Sequence, residues 1–327
     1  MNSIKQPPKI IFGKNSVQNY DFPLNSLLIT SRGAKSRGWI EYLNLKNFLI
    51  FENVESNPSM KTVELIIEKF KDINFDYVIG LGGGSVLDVA KYVSYLLNKK
   101  KIMVPTTFGS GSEVTRISVL KINNKKKSFH DDKIISDVAI VDPFFLQSTP
   151  MNILKNSAID AVAQCSEGYD SKNGNYFTKF LCKKAFDILE NAIMKNDYEK
   201  LAYGALISGL GFGNCSTTLG HALSYVFSNE GVSHGHALAF TTSISHKFND
   251  SIFFKRYCKL IKKLEFEPIS LKENLENAAN IILTDRKHLD NNPKYVDKKS
   301  ILRLLEIINK PDFFKILENK SSSELFN

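Results

Sequence analysis

An α/β domain joined to an all-α domain is the fold class this sequence predicts, and three observations carry it. Short apolar runs alternate with helical periodicity up to about residue 142, the strand signals stop after Asp142-Pro143, and one strand-to-helix turn is packed with glycine. Taken in order, strands are expected over 10–12, 26–30, 47–51, 76–81, 102–105 and 138–142, with helices over 61–71 and 86–97. Strands alternating with helices build a parallel sheet covered on both faces. Further on, helices are expected over 156–169, 175–191, 201–211, 217–227, 234–248, 253–264, 270–283 and 296–308. The change of texture near Ser148-Thr149-Pro150 divides the chain into 1–149 and 150–327, with a polar tail over 320–327.

A chain of 327 residues can bury the cores of two domains. No apolar run is long enough for a membrane span, and the start MNSIKQPPKI lacks the apolar stretch of a signal peptide, so a cytoplasmic protein is expected. The four cysteines are widely spaced without a CxxC pair, which reads as small buried hydrophobes rather than disulfides or a thiolate zinc site. The net charge of +9 comes from scattered lysines. The densest run, Lys125-Lys126-Lys127, follows Asn123-Asn124 in an expected hairpin turn, and no nucleic-acid-binding motif accompanies it. The charge therefore reads as solvated surface, or as a cleft that attracts an anionic substrate or phosphorylated cofactor.

The chemistry concentrates in a few segments. Residues 80–91, GLGGGSVLDVAK, run from strand through glycine turn into helix. That arrangement lets backbone N–H groups and a helix N-terminus approach a diphosphate, provided no Cβ intervenes. The hydroxyl-rich loop 105–115 supplies a second wall. Asp160 and Gln164 lie four apart on one helix face, in small and apolar surroundings. A buried carboxylate there needs a partner. With His221 and His234 it would suit a borderline divalent cation such as Fe(II) or Zn(II). His236, two residues beyond His234, should point elsewhere on the helix.

Together the segments GLGGGSVLDVAK, VPTTFGSGSEVT (104–115), AIVDPFFLQSTP (139–150), IDAVAQCSEGYDS (159–171) and GHALSYVFSNEGVSHGHALA (220–239) resemble the iron-containing (group III) alcohol dehydrogenase family. The resemblance implies a Rossmann-like N-terminal domain, a helical C-terminal domain, NAD or NADP in the cleft between them, and a divalent metal, Fe2+ or Zn2+, on the helical side. By position, Gly83, Gly84 and Ser85, with Asp88 in the same segment, fall on the cofactor's pyrophosphate site. Thr106, Thr107 and Ser110 fall beside the nicotinamide half, and Lys126 on a residue that reaches the ribose. Asp160, His221 and His234 match three of four metal ligands. The fourth, normally histidine, is Gln164, a neutral and weaker ligand for iron or zinc. Ser31 stands where an acidic residue would contact the adenosine ribose, and with Arg32 next to it NADPH is favoured.

Gln164 and the HALSY and SHGHALA stretches look most like the phosphonoacetaldehyde reductase branch. The expectation is metal-dependent, NAD(P)H-linked reduction of a small anionic aldehyde, phosphonoacetaldehyde favoured. His236 or a water on the metal is the expected proton donor, and Arg116 an anion contact. A homodimer is expected, without nucleic-acid or membrane partners. The alternatives are a phosphoglycerol dehydrogenase or dehydroquinate synthase-like lyase of the same superfamily, and a non-enzymatic protein with a degraded metal site.

Overall fold

The fold was analysed in a computed structural model that describes residues 3–123 and 125–326; Asn124 of the expected hairpin turn and residue 327 of the tail lie outside them. Six strands form one all-parallel sheet: β1 (Lys9–Phe12), β2 (Ser26–Thr30), β3 (Phe48–Phe51), β4 (Tyr77–Gly82), β5 (Lys100–Pro105) and, last in the chain, Val138–Val141. Between β5 and that last strand, β6 (Ile117–Ile122) and β7 (Lys125–His130) make a separate antiparallel hairpin, so the last sheet strand is β8. The lysine run belongs to β7 rather than to the turn, and strand alternation leaves Lys125 and Lys127 exposed while Lys126 is half-buried.

The sheet order is β1-β8-β5-β4-β2-β3. From β2 the chain moves to β3 on one side, then returns to add β4 and β5 on the other. The crevice at the carboxyl ends of β2 and β4 is thus a topological switch point, where open α/β sheets bind ligands. Helices α1 (Arg32–Ser36), α2 (Trp39–Tyr42), α3 (Met60–Phe70) and α4 (Gly84–Leu96) accompany these strands. One buried cluster, including Val63, Ile66, Phe70, Val78 and Val89, packs one face of the sheet. A second, including Trp39, Ile40, Leu81, Val104 and Phe145, packs the other.

From Met151 the described elements are helices: α5 (Met151–Asp170), α6 (Tyr176–Lys195), α7 (Tyr198–Phe212), α8 (Leu219–Asn229), α9 (His234–Phe248), α10 (Phe254–Leu264), α11 (Leu275–Leu283), α12 (Arg286–Asn291), α13 (Lys298–Ile308), α14 (Phe313–Asn319) and α15 (Ser322–Phe326). The helix expected from 270 begins only at Leu275, because the Asn274 side chain caps it by accepting the N–H groups of Glu276 and Asn277. The polar tail is not a loose end: α15 buries Leu325 and sets Phe326 edge-on to Phe248 at 5.3 Å. No described helix is long and apolar enough to cross a membrane.

The two halves meet without side chains at one seam. A Cβ on Gly109 would sit 2.5 Å from the Ser157 carbonyl oxygen of α5. One on Gly111, whose φ is +61°, would sit 2.8 Å from the Gly209 Cα of α7. Only glycine lets the loop after β5 press this closely on two helices.

Candidate active site

Above this seam lies a cleft of about 330 Å³. Gly84, Ser85, Asp88, Thr107, Ser110 and Lys126 line it from the α/β side, and Asp160, Gln164, His221, Tyr225, His234 and His288 from the helical side.

The α/β wall is built from backbone. β4 ends at Gly82, Gly83 caps α4 in an extended conformation, and its carbonyl accepts from the Val86 and Leu87 N–H groups at 2.9 and 3.1 Å. The N–H groups of Gly84 and Ser85 precede these first intrahelical donors, and both residues line the cleft. A Cβ on Gly83 would come 2.9 Å from Thr107 Oγ1, and one on Gly84 2.7 Å from Ser110 Oγ, so the glycine turn and the second loop are in contact. Thr106 is buried beneath, its N–H donating to the Gly82 carbonyl at 3.0 Å. Asp88 reaches the cleft, but its carboxylate accepts from Ser112 Oγ at 2.6 Å and the Val119 N–H at 3.0 Å. It pins α4 to the second loop and to β6. Ser31 does not line the cleft; it precedes α1 at the carboxyl end of β2, beside Arg32, whose Nε donates to Asn53 Oδ1 at 2.7 Å.

Three helices build the other wall. α5 carries Asp160, α8 carries His221 and α9 opens on His234, and their ligand atoms lie within 4.8 Å of one another. Both imidazole Nε2 atoms stand 3.8 Å from Asp160 Oδ1, too long for hydrogen bonds. Donor atoms each about 2 Å from a shared ion are separated in this way. His221 Nδ1 is held at 2.5 Å by Glu167 Oε2, which leaves Nε2 turned to the cluster. Glu167 also accepts from the Thr218 and Gly220 N–H groups at 3.2 and 2.5 Å. Burial pushes Glu167 up, yet the imidazole and backbone donors bring it down to about 2. Burial pulls His221 down, but Glu167 and Asp160 overcome it and raise it to about 9. For His234, burial outweighs Asp160 and lowers the group to about 4.

Gln164 is brought to the cluster beside Asp160. Its Nε2 donates to Asp160 Oδ1 at 2.9 Å, while its Oε1 is buried with no hydrogen-bond partner. The amide clamps the aspartate, and a half-turn of the amide would present the orphaned oxygen instead. This orphan, with one carboxylate and two imidazoles, is a donor set that fits iron or zinc.

Two expected contacts lie elsewhere. His236 is about 200° around α9 from His234. Its Nε2 bonds the Glu267 carbonyl oxygen at 2.6 Å, and its ring packs 5.3 Å from Phe266. It does not line the cleft, which corrects its assignment as proton donor. Arg116 pairs with Asp132 at 2.9 Å and lines a neighbouring hollow. Conversely, the sequence reading missed Glu167, Tyr225, Lys287 and His288. Glu167 had a signal, since 160, 164 and 167 follow one helical stripe. His288 had none, lying on a helix of six residues far along the chain.

Fold and site thus define a two-domain protein that faces a glycine-rich nucleotide-type loop with an Asp-His-His cluster. Family models match in both halves, Iron-containing alcohol dehydrogenase over residues 7–143 and Fe-containing alcohol dehydrogenase family, C-terminal, over residues 155–297. The chain belongs to the iron-containing alcohol dehydrogenase family. It is 34% identical over 209 residues to 4-hydroxybutyrate dehydrogenase of Clostridium kluyveri, in an alignment taking in 55% of this chain and 56% of that protein. It is 33% identical to long-chain-alcohol dehydrogenase 1 of Geobacillus thermodenitrificans over 58% of this chain and 56% of that one. The chain thus spans little more than half the length of these curated relatives.

Among solved structures, an iron-containing alcohol dehydrogenase of Thermotoga maritima superposes with a TM-score of 0.86 at 23% identity, covering 94% of this chain and 99% of that one. Sulfoacetaldehyde reductase of Bifidobacterium kashiwanohense, solved with NAD+, gives 0.84 at 22% identity, covering 95% and 100%.

Proposed function

We propose that the chain reduces a small anionic aldehyde to its alcohol with a nicotinamide cofactor and a divalent metal, phosphonoacetaldehyde being the favoured substrate. The observation that carries the reading is the presence, across one cleft, of the glycine turn and the Asp160–His221–His234 cluster. When bound, the dinucleotide supplies the hydride and the ion supplies Lewis acidity for the carbonyl oxygen. Gly84 and Ser85 offer N–H groups to the pyrophosphate, and Thr107 and Ser110 line the path toward the cluster. Asp160, His221 and His234 hold the ion, and Glu167 keeps His221 in the tautomer that ligates. Relatives and neighbours of this fold include proteins named for hydroxybutyrate and sulfoacetaldehyde, both short and anionic. The Ser31–Arg32 pair at the end of β2 supports a preference for NADPH, because no carboxylate at 31 repels a 2′-phosphate.

The test is oxidation of NADPH and NADH against phosphonoacetaldehyde and butanal, with metal content measured on the same protein. Turnover is expected with both aldehydes, fastest with phosphonoacetaldehyde and NADPH, and Asp160→Ala is expected to lose at least about 1000-fold in kcat/KM. Activity that survives both full metal removal and Asp160→Ala would overturn the metal mechanism. Faster turnover of butanal would overturn the substrate.

A further inference from the structure

The reading above leaves the acid group of the substrate without a partner, since Arg116 is spent on Asp132 outside the cleft. The helical wall offers one. His288 is only 6% exposed and lines the cleft, its ring 6.3 Å from that of His221 and 6.0 Å from that of Tyr225. Its Nδ1 is engaged by Asp285 Oδ2 at 2.6 Å, and Asp285 also accepts the His288 N–H at 3.4 Å. The ring is thereby fixed by its inner nitrogen, and Nε2 is left for the cleft. Lys287, next in the chain, lines the same cleft, and its ammonium donates to His130 Nε2 at 3.0 Å. Among the described residues no carboxylate lies within ion-pair distance of it. His288 thus stands beside the His221 of the Asp160 cluster, and Lys287 lines the same cleft without a carboxylate partner.

We propose that Lys287 and His288 form the subsite for the substrate's terminal oxyacid group, with Asp285 as the positioning residue that aims His288. The His288 ring stands 6.3 Å from that of the cluster's His221, so the subsite adjoins the cluster. That adjacency suits short aldehydes ending in phosphonate, sulfonate or carboxylate. The flexible Lys287 ammonium donates to the oxygens of any of the three, while His288, whose Nδ1–H is given to Asp285, meets a P–OH with its Nε2 as acceptor and donates from Nε2 only as the imidazolium. This assignment rests on the aldehyde-reductase reading.

The experiment measures kcat/KM for phosphonoacetaldehyde, sulfoacetaldehyde, succinic semialdehyde and butanal in the metal-loaded full chain. In Lys287→Gln and in His288→Gln, the ratio of the best anionic aldehyde to butanal is expected to fall about 10- to 100-fold, the loss of a hydrogen bond to a charged group. The loss should appear in KM. Asp285→Asn should give a smaller fall in the same ratio, and Lys287→Arg should restore most of it. Lys287 is at the rim, so its variants report even where His288→Gln fails to fold. An unchanged ratio in Lys287→Gln, or a loss that appears equally with butanal, overturns the subsite. Wild-type protein that reduces butanal but none of the anionic aldehydes overturns it too, and leaves aldehyde reduction standing. Failure with all four aldehydes overturns that underlying reading.

Discussion

The α/β wall meets the cleft with N–H groups and small hydroxyls, whereas the helical wall meets it with a carboxylate and imidazoles backed by further carboxylates. On the first wall the ligand groups are part of the chain itself, so their placement follows from the path of β4 into α4. On the second, the geometry is held by Glu167 behind His221 and Asp285 behind His288, at 2.5 and 2.6 Å. Backbone sites therefore depend on the absence of side chains, and side-chain sites depend on a second layer of them.

The sharpest way to break that contrast is Glu167→Gln. The amide keeps the size but not the charge, so His221 loses its tautomer and basicity. Metal affinity is expected to fall about 10- to 100-fold, while dinucleotide affinity changes little. Competition with a chelating dye and a cofactor fluorescence titration measure the two sides, and equal losses in both would deny the division. Gly84→Ala probes the opposite wall. Its methyl would meet Ser110 Oγ at 2.7 Å and part the two loops. Cofactor KM is expected to rise about 10-fold, the cost of roughly one well-placed hydrogen bond, with metal content unaltered.

The smallest effect concerns stability alone. Glu113 on the second loop is buried, and burial, its main perturbation, raises it from 4.5 to about 7. The folded chain thus keeps a proton that the unfolded chain gives up. The stability this carboxyl contributes is full below about 4.5 and is lost as pH rises through about 7. Glu113→Gln should therefore gain on the parent between pH 5 and pH 8, by about 2–3 kcal/mol at most. Urea unfolding at both pH values checks this, and a gain equal at the two would remove the titration from the account.

The sheet strands and the glycine turn were legible because each follows a short-range rule, whereas Asp160, His221 and His234, spread over three helices, were legible as a set through the family resemblance. Alternation marks strands, helical spacing marks faces, and glycine marks close approach. His236 points away from His234, as two residues along a helix require, and bonds the Glu267 carbonyl outside the cleft, which leaves the expected proton-donor role without geometry. His288 and Asp285 were invisible in the sequence. They reach the cleft because the chain folds back after α11, and nothing in 285–288 resembles a site. The tail misled as well, because a polar run with one leucine and one phenylalanine is enough to dock α15 on α9.

Ser157, which presses its carbonyl on Gly109, stands one turn ahead of Asp160 on the same helix. The seam therefore works as a spacer gauge. Its thickness, one backbone against another, sets how far the wall built by the loop after β5 stands from the Asp160 cluster. A single methyl group inserted there would shift the whole of α5, and with it Asp160, Gln164 and Glu167 together. The width of the cleft is thus tied to a glycine that does not line it.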